Sequence, residues 1–582
     1  MRLTDEENMA NGTRQWTSYW SDDTGELWLF VASANVIKAN SIPIIGLTTG
    51  IGKEAGARPA RRNINELEAE AGPIWALSAL EDGSDSEENS YFGVAGVHGQ
   101  PYKSWNGVGP VPGGEASGFC PHGEALFISW HRPYITLYEV CVKSAPRRLS
   151  ADRKQQILGQ KVQQLADEYS GKDASAYKTA GQTFRLPYWD WALDARIPPS
   201  CTRPNITVNA PEGSITIRNP LYSYKWHHYP LDQGLFPGSE SLENETTRSP
   251  NPTSHFPVED VNTKLAAQAQ QIKLKVYHAF AFADTYEKMA SMTGNGNSFE
   301  SPHNDVHNLV GGSFATLTVT SFDPLFMLHH CNLDRLAAIW AAIYFENTVQ
   351  TTSYQSGGLF ATVRGEDITA DSPLKPFYQA DGKTFHTSKS VRDITQFGYT
   401  YPELQDLDLD VHQNALRVTE LVNDLYGSLP ARRVRGPHPS GYGTQSSREW
   451  VVSVEVERSE LELPCTIHIY RGDRYAGRTT LLDMPRYGIL FDEIPLAGVI
   501  SASEFRGMSP DAVEDLLEKE FRFEIKKDDG TVLDPMKVPS LRLDVQGFDV
   551  QPPSSLSELP KYSGKYTYSK VFAQYNGTRA LR

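Results

Sequence analysis

Apolar positions follow two rhythms along this chain. Before residue 403 the patterned stretches repeat apolar residues at the three-to-four spacing of a helix with one buried face, over 63–79, a run ending at Ser144, 151–169, 258–291 and 325–344. Beyond residue 448 the stretches 450–457, 465–470, 479–482, 521–525 and 540–545 alternate apolar and polar with period two, separated by turn formers. The pattern predicts a mainly α domain, a four-helix bundle whose long helices carry histidines toward a common interior, followed by an all-β, sandwich-like domain. Residues 1–40 match no usable pattern and read as an N-terminal extension of unknown role. The helical domain is expected over 41–402, a helix at 411–426 and an exposed Pro/Gly/Arg-rich linker over 403–448, and the β domain over 449–582. Residues 192–258, dense in Pro, Asn and Tyr, read as a long irregular segment, and the acidic run 81–88 as a solvated loop.

Composition narrows the partners. A length of 582 residues fits two domains. A formal charge of -16 argues against a nucleic-acid or anionic-membrane partner, because the only basic run is the short Arg432, Arg433, Arg435. Five cysteines, odd in number and without a CxxC pair, are not a disulfide framework and point to a reducing compartment. Residues 1–15 are polar and the weakly apolar 27–39 lies too far in for a signal peptide, so a cytoplasmic location is expected, where the sequons at Asn205 and Asn244 carry no meaning. No run approaches the roughly 18 apolar residues of a membrane span.

Histidine spacing supplies the chemistry. His303 and His307 stand four apart, so on one helix both imidazoles leave the same face. Asp323 and Pro324 open the next apolar helix, which brings His329 and His330. Three imidazoles without an obvious thiolate or carboxylate partner suit zinc or copper with a coordination position left open. A matching set, His98, His122 and His131, occupies the first half. His122 and His131 lie nine apart, on opposite faces of a continuous helix, so they can share a metal only if His122 sits in the loop before the helix. A lone histidine is usually a satisfied core residue; two groups of three are not.

The stretches around His98 and Trp105, Cys120-Pro-His122, Trp130-His-Arg-Pro-Tyr134, Pro187-Tyr-Trp-Asp-Trp191, His303-x-x-x-His307 and Asp323-Pro-x-Phe326-x-x-His-His330-x-x-x-Asp334-Arg335 resemble the type 3 copper family of tyrosinases, catechol oxidases and molluscan haemocyanins. The resemblance covers about residues 42–402, with Tyr399-x-Tyr401-Pro402 similar to the motif closing the catalytic core and the β domain similar to the latency domain of fungal tyrosinases. It implies two copper ions, the first on His98, His122 and His131, the second on His303, His307 and His330. His330 is chosen over His329 because the family ligand lies four residues before the Asp of Asp334-Arg335. It further implies a thioether between Cys120 and His122, an aromatic gate at Phe326 whose bland alternative is core packing, and Glu300 with Asn304 holding the water that deprotonates a phenol. Asp334 and Arg335 are expected to form an ion pair within the bundle. The implied activity is ortho-hydroxylation of tyrosine-like phenols and oxidation of catechols to o-quinones with O2, in melanin or secondary-metabolite synthesis. A catechol-only oxidase and a haemocyanin-like dioxygen carrier are the alternatives. An activating protease acting at the basic linker is the further partner this implies, and a homo-oligomer stays open.

Overall fold

In the computed structural model, placement is described for residues 41–575 apart from 53–56, 68–76, 78–80, 140–161, 164–165, 172–173, 211–212, 240–241, 250–257, 295, 406–407 and 428–446, and for three backbone strands before residue 41. Met1–Ile42 and Pro43–Arg582 are separate compact units. In the first, β1 (Asp5–Ala10), β2 (Thr13–Ser21) and β3 (Leu27–Ala34) form an antiparallel meander in which Ser18 stands opposite both Asp5 and Phe30.

The second unit holds the helices. Of the helix expected at 63–79 the described parts are a 3₁₀ turn, Ile64–Glu66, whose Asn63 cap accepts the Asn65 N–H, and Leu77, which is helical and buried. The segment 151–169 and the basic linker fall largely outside the described residues. Helix α1 (Tyr91–Ala95) starts on Ser90, which accepts the Gly93 N–H, and α2 (Phe127–Glu139) is buried along its whole length. After α3 (Ala174–Thr183) comes an exposed hairpin, β4 (Asn205–Ala210) with β5 (Gly213–Arg218). The helix expected over 258–291 is two, α4 (Val258–Phe282) and α5 (Tyr286–Ala290). The break follows from competition for carbonyls: Trp340 Nε1 takes that of Ala283 at 2.7 Å and Asn347 Nδ2 that of Asp284 at 2.9 Å. Next come α6 (Glu300–Val310) and α7 (Leu325–Ile343), the latter buried through Trp340, with the Asp323 carboxylate accepting the Leu325 N–H at its start.

Helices α2, α4, α6 and α7 make the bundle. Asp334 and Arg335 do not pair with each other, because consecutive helical residues face directions about 100° apart. Asp334 instead meets Arg132 at 2.6 Å, Arg61 at 3.3 Å and the hydroxyls of Tyr399 and Tyr401 at 2.7 and 2.6 Å. Arg335 meets Asp190 at 3.0 Å and Glu403 at 2.5 Å. Short strands β6 (Tyr354–Gln355) and β7 (Asp367–Ile368) and the single-turn α8 (Ser388–Val391) lead to α9 (Val411–Tyr426). Helix α9 packs back on the bundle: Val418, Val422 and Tyr426 are buried, Arg335 donates to the Tyr426 hydroxyl at 2.9 Å and Tyr277 to Asn423 Oδ1 at 2.7 Å.

The C-terminal region is two antiparallel four-stranded sheets. One runs β10 (Arg474–Leu481), β9 (Cys465–Arg471), β12 (Phe521–Lys526), β13 (Val532–Leu533); the other β11 (Ile489–Pro495), β8 (Ser447–Glu457), β14 (Arg542–Gln551), β15 (Lys561–Tyr568). Their inner faces share one apolar cluster that also takes in Met292 of the helical region, and α10 (Pro510–Glu520) packs Val513 and Leu517 into it. Among the described residues no helix is long and apolar enough to cross a membrane, and Cys120, Cys201, Cys331 and Cys465 are buried and form no disulfide.

Candidate metal centre

Two groups of buried side chains, His98 with Cys120, His122 and His131, and His303 with His307, His329 and His330, each bring their ligand atoms within 4.8 Å of one another. His122 stands in the loop before α2 and His131 within it, the arrangement that their nine-residue spacing requires. His98 follows α1 on another loop, while His303 and His307 share a face of α6 and His330 comes from α7. The fourth bundle helix contributes none: His278 of α4 turns to Glu449 of β8 at 3.2 Å, which corrects the expectation of ligand histidines on every helix.

For three of the rings a hydrogen bond decides which nitrogen is offered. His131 Nδ1 donates to the Phe127 carbonyl at 2.7 Å, His307 Nδ1 to the Phe314 carbonyl at 2.7 Å, and His303 Nδ1 to Asn304 Oδ1 at 2.9 Å. Each therefore keeps an Nε2 lone pair. His303 Nε2 lies 3.1 Å from Nε2 of both His307 and His330, a triangle of donors converging on one point. His330 also stacks on His131 at 4.3 Å and so faces the other group, whereas His329 lies behind, against His303 at 4.7 Å. Burial holds His131 down to about 3 and His307 to about 4, with the other imidazoles well below their ordinary value, so all are neutral donors at physiological pH. Buried neutral imidazoles in two sets fit a pair of copper ions.

The neighbours are equally enclosed. Cys120 Sγ lies 2.9 Å from His122 Nδ1 and 3.2 Å from His131 Nε2. Glu300 opens α6; its Oε1 accepts the Gly123 N–H at 2.5 Å and its Oε2 the Met292 N–H at 2.9 Å, and burial pushes its carboxyl up to about 7. It thereby ties the loop of His122 to the helix of His303. Phe326, with no exposed surface, packs 4.9 Å from His98 and 4.1 Å from His330, a wall common to both groups. Phe127 lies 4.8 to 5.1 Å from His131, His303 and His122.

The β region reaches this site through residues that carry no motif. Gly123, at φ +63°, presents its Cα to Arg458, and an added Cβ would lie 2.4 Å from Arg458 Nη1. Arg458 is buried and donates to the Leu482 carbonyl at 2.9 Å, while Leu482 and Met484 cluster with Leu317 of the helical region.

Comparison with known proteins places the chain. Residues 88–343 match the family model of the common central domain of tyrosinase, and 449–545 that of the tyrosinase C-terminal domain. The chain is 32% identical to a tyrosinase of Podospora anserina over 67% of its own length and 69% of that protein's, and 30% identical to polyphenol oxidase 2 of Agaricus bisporus over 62% and 64%. Units G and H of a haemocyanin of Sepia officinalis match at 27% identity over 49% of the chain and 38% of that protein. In fold it superposes on recombinant mushroom tyrosinase with a TM-score of 0.75 at 21% identity, covering 91% of this chain and 99% of that one. Aspergillus oryzae holo-protyrosinase follows at 0.64 and 20%, covering 89% and 97%. The two imidazole groups could thus hold the two coppers of a copper oxidase's dicopper centre, and the chain belongs to the tyrosinase family of type 3 copper proteins, with its C-terminal domain attached.

Proposed function

We propose that this chain is a monophenol monooxygenase and o-diphenol oxidase, hydroxylating tyrosine-like phenols and oxidising the resulting catechols to o-quinones in pigment or secondary-metabolite synthesis. His98, His122 and His131 would hold the first copper and His303, His307 and His330 the second. Bound there, the coppers supply dioxygen activation. The chain's own residues supply the rest. The observation that carries the hydroxylase reading is Glu300 one turn from Asn304 in the N-terminal half of α6, both at most 4% exposed. A carboxyl held near 7 exchanges protons readily at neutral pH, so it can take the phenol proton through a water shared with the Asn304 amide. Phe326 walls the space in which the substrate ring stands, and a thioether from Cys120 would fix the His122 ring.

Turnover of tyrosine and L-DOPA by Asn304→Ala tests this. Tyrosine hydroxylation is expected to fall at least about tenfold more than L-DOPA oxidation, general-base contributions being about 10²–10⁴-fold. Equal loss on both, in a variant that carries the same copper content as wild type, leaves a catechol oxidase. The haemocyanin relative keeps a dioxygen carrier as the second reading, which any steady catalytic turnover eliminates. The contacts of Arg458, Leu482 and Met484 also support a latent enzyme whose β domain covers the site until the linker is cut.

A further inference from the structure

Helix α6 has two working faces. One carries His303 and His307. The other is a polar stripe, Ser301, Asn304, Asp305 and Asn308, at the spacing of neighbours along one side of a helix, and every member bonds to the β domain. Ser301 Oγ donates to Asp492 at 2.8 Å, Thr480 Oγ1 donates to Asp305 at 2.9 Å, and Asn308 Nδ2 donates to Asp528 at 2.6 Å. Lys275 of α4 closes the gap, with Nζ 2.8 Å from Asp305, 3.2 Å from Asp492 and 2.8 Å from the Arg478 carbonyl.

Asn304 belongs to both faces. Its Oδ1 accepts the His303 Nδ1–H at 2.9 Å, while its Nδ2 donates to the Thr480 carbonyl of β10 at 3.4 Å and to Met292 Sδ at 3.3 Å. A second relay runs to the other histidine group: the Phe491 N–H of β11 donates to the Met292 carbonyl at 2.6 Å, the Met292 N–H to Glu300 at 2.9 Å, and the same carboxyl accepts the N–H of Gly123, the residue after His122, at 2.5 Å. Each relay begins on the β domain and ends on a ligand segment.

We infer that docking of the β domain and copper affinity are thermodynamically linked through Asn304 and Glu300, so that the β domain pre-orders the ligands as well as covering them. An imidazole binds metal in one tautomer and one ring plane, set by the partner of its other nitrogen, and loss of such a partner costs about 10- to 100-fold in affinity. An amide whose own donors are held by β10 is already in place for that task. Linkage is reciprocal: whatever factor docking adds to copper binding, copper adds to docking. The inference rests on the dicopper assignment and not on the hydroxylase reading.

The test uses the uncut full-length chain. Amide hydrogen exchange of 474–481 is followed in metal-free and copper-loaded wild type, and in Asn304→Leu. Copper is expected to slow exchange there by at least about tenfold in wild type and by a clearly smaller factor in Asn304→Leu. Independently, copper affinity is measured at equilibrium against a competing chelator, so that mere covering of the site, which alters rates, does not enter. Asp492→Asn, on the β domain and touching no histidine, is expected to weaken copper binding about tenfold. Exchange of 474–481 unchanged by copper in wild type overturns the linkage without any variant being needed, as does an Asp492→Asn affinity within twofold of wild type. Wild type that takes up no copper overturns the ligand assignment beneath it.

Discussion

Glu300 joins two demands in one carboxyl: it bridges the loop of His122 to α6 through backbone N–H groups, and burial raises it to about 7. The raised value fixes a sign. Between the ordinary glutamate value of 4.5 and about 7 the folded chain holds a proton that the unfolded chain has released, so this group's contribution is full below that window and is lost as pH rises through it. Metal-free Glu300→Gln, which cannot ionise, should therefore gain on metal-free wild type by about 3 kcal/mol between pH 5 and pH 8 in denaturant unfolding. A gap that stays constant with pH would mean that the carboxyl titrates normally. At this scale the gathering of the histidines into two buried groups was legible, because metal chemistry demands particular side chains at particular spacings. The contacts of Thr480, Phe491 and Met292 were not, because they act largely through backbone carbonyls and N–H groups that nearly any residue supplies.

Elements were legible where burial writes a rhythm. The strands with strong inward alternation stand close to where the period-two pattern put them, as in β9 and β12, whereas β15 is an exposed polar edge whose pairing with β14 leaves no apolar signature. The break between α4 and α5 comes from distant side chains capturing carbonyls, a tertiary event that periodicity cannot carry. The closing motif of Tyr399 and Tyr401 acquires its meaning only in the fold, where it, Arg61 and Arg132 enclose the Asp334 carboxylate. With buried Arg132 left without its carboxylate and Arg61 left with Glu139 alone at 2.8 Å, Asp334→Asn should cost about 3–5 kcal/mol, read from denaturant unfolding, against about 1 kcal/mol for Tyr399→Phe. Similar losses in the two variants would show that hydrogen bonding and not charge governs the cluster.

For the whole molecule, the helical and β regions fall in one compact unit because α4 and α6 present polar side chains to the sheets, while α9 is held to α7 by Arg335 and Tyr426. A protease site engineered within 428–446 should accordingly yield, on cutting, a stable product whose mass places its end at or beyond Tyr426, with catechol oxidation rising on cleavage. A product trimmed to residue 402, or activity unchanged by the cut, would contradict that organisation. The backbone of Gly123 carries one more consequence. A single methyl group there is strained at its φ of +63° and meets Arg458 Nη1 at 2.4 Å and Leu490 at 3.3 Å, so Gly123→Ala would act as a wedge beneath the docked domain. At saturating copper, uncut Gly123→Ala should then oxidise catechol faster than uncut wild type, and the release proposed above for proteolysis would be inherited instead, through one codon of the core.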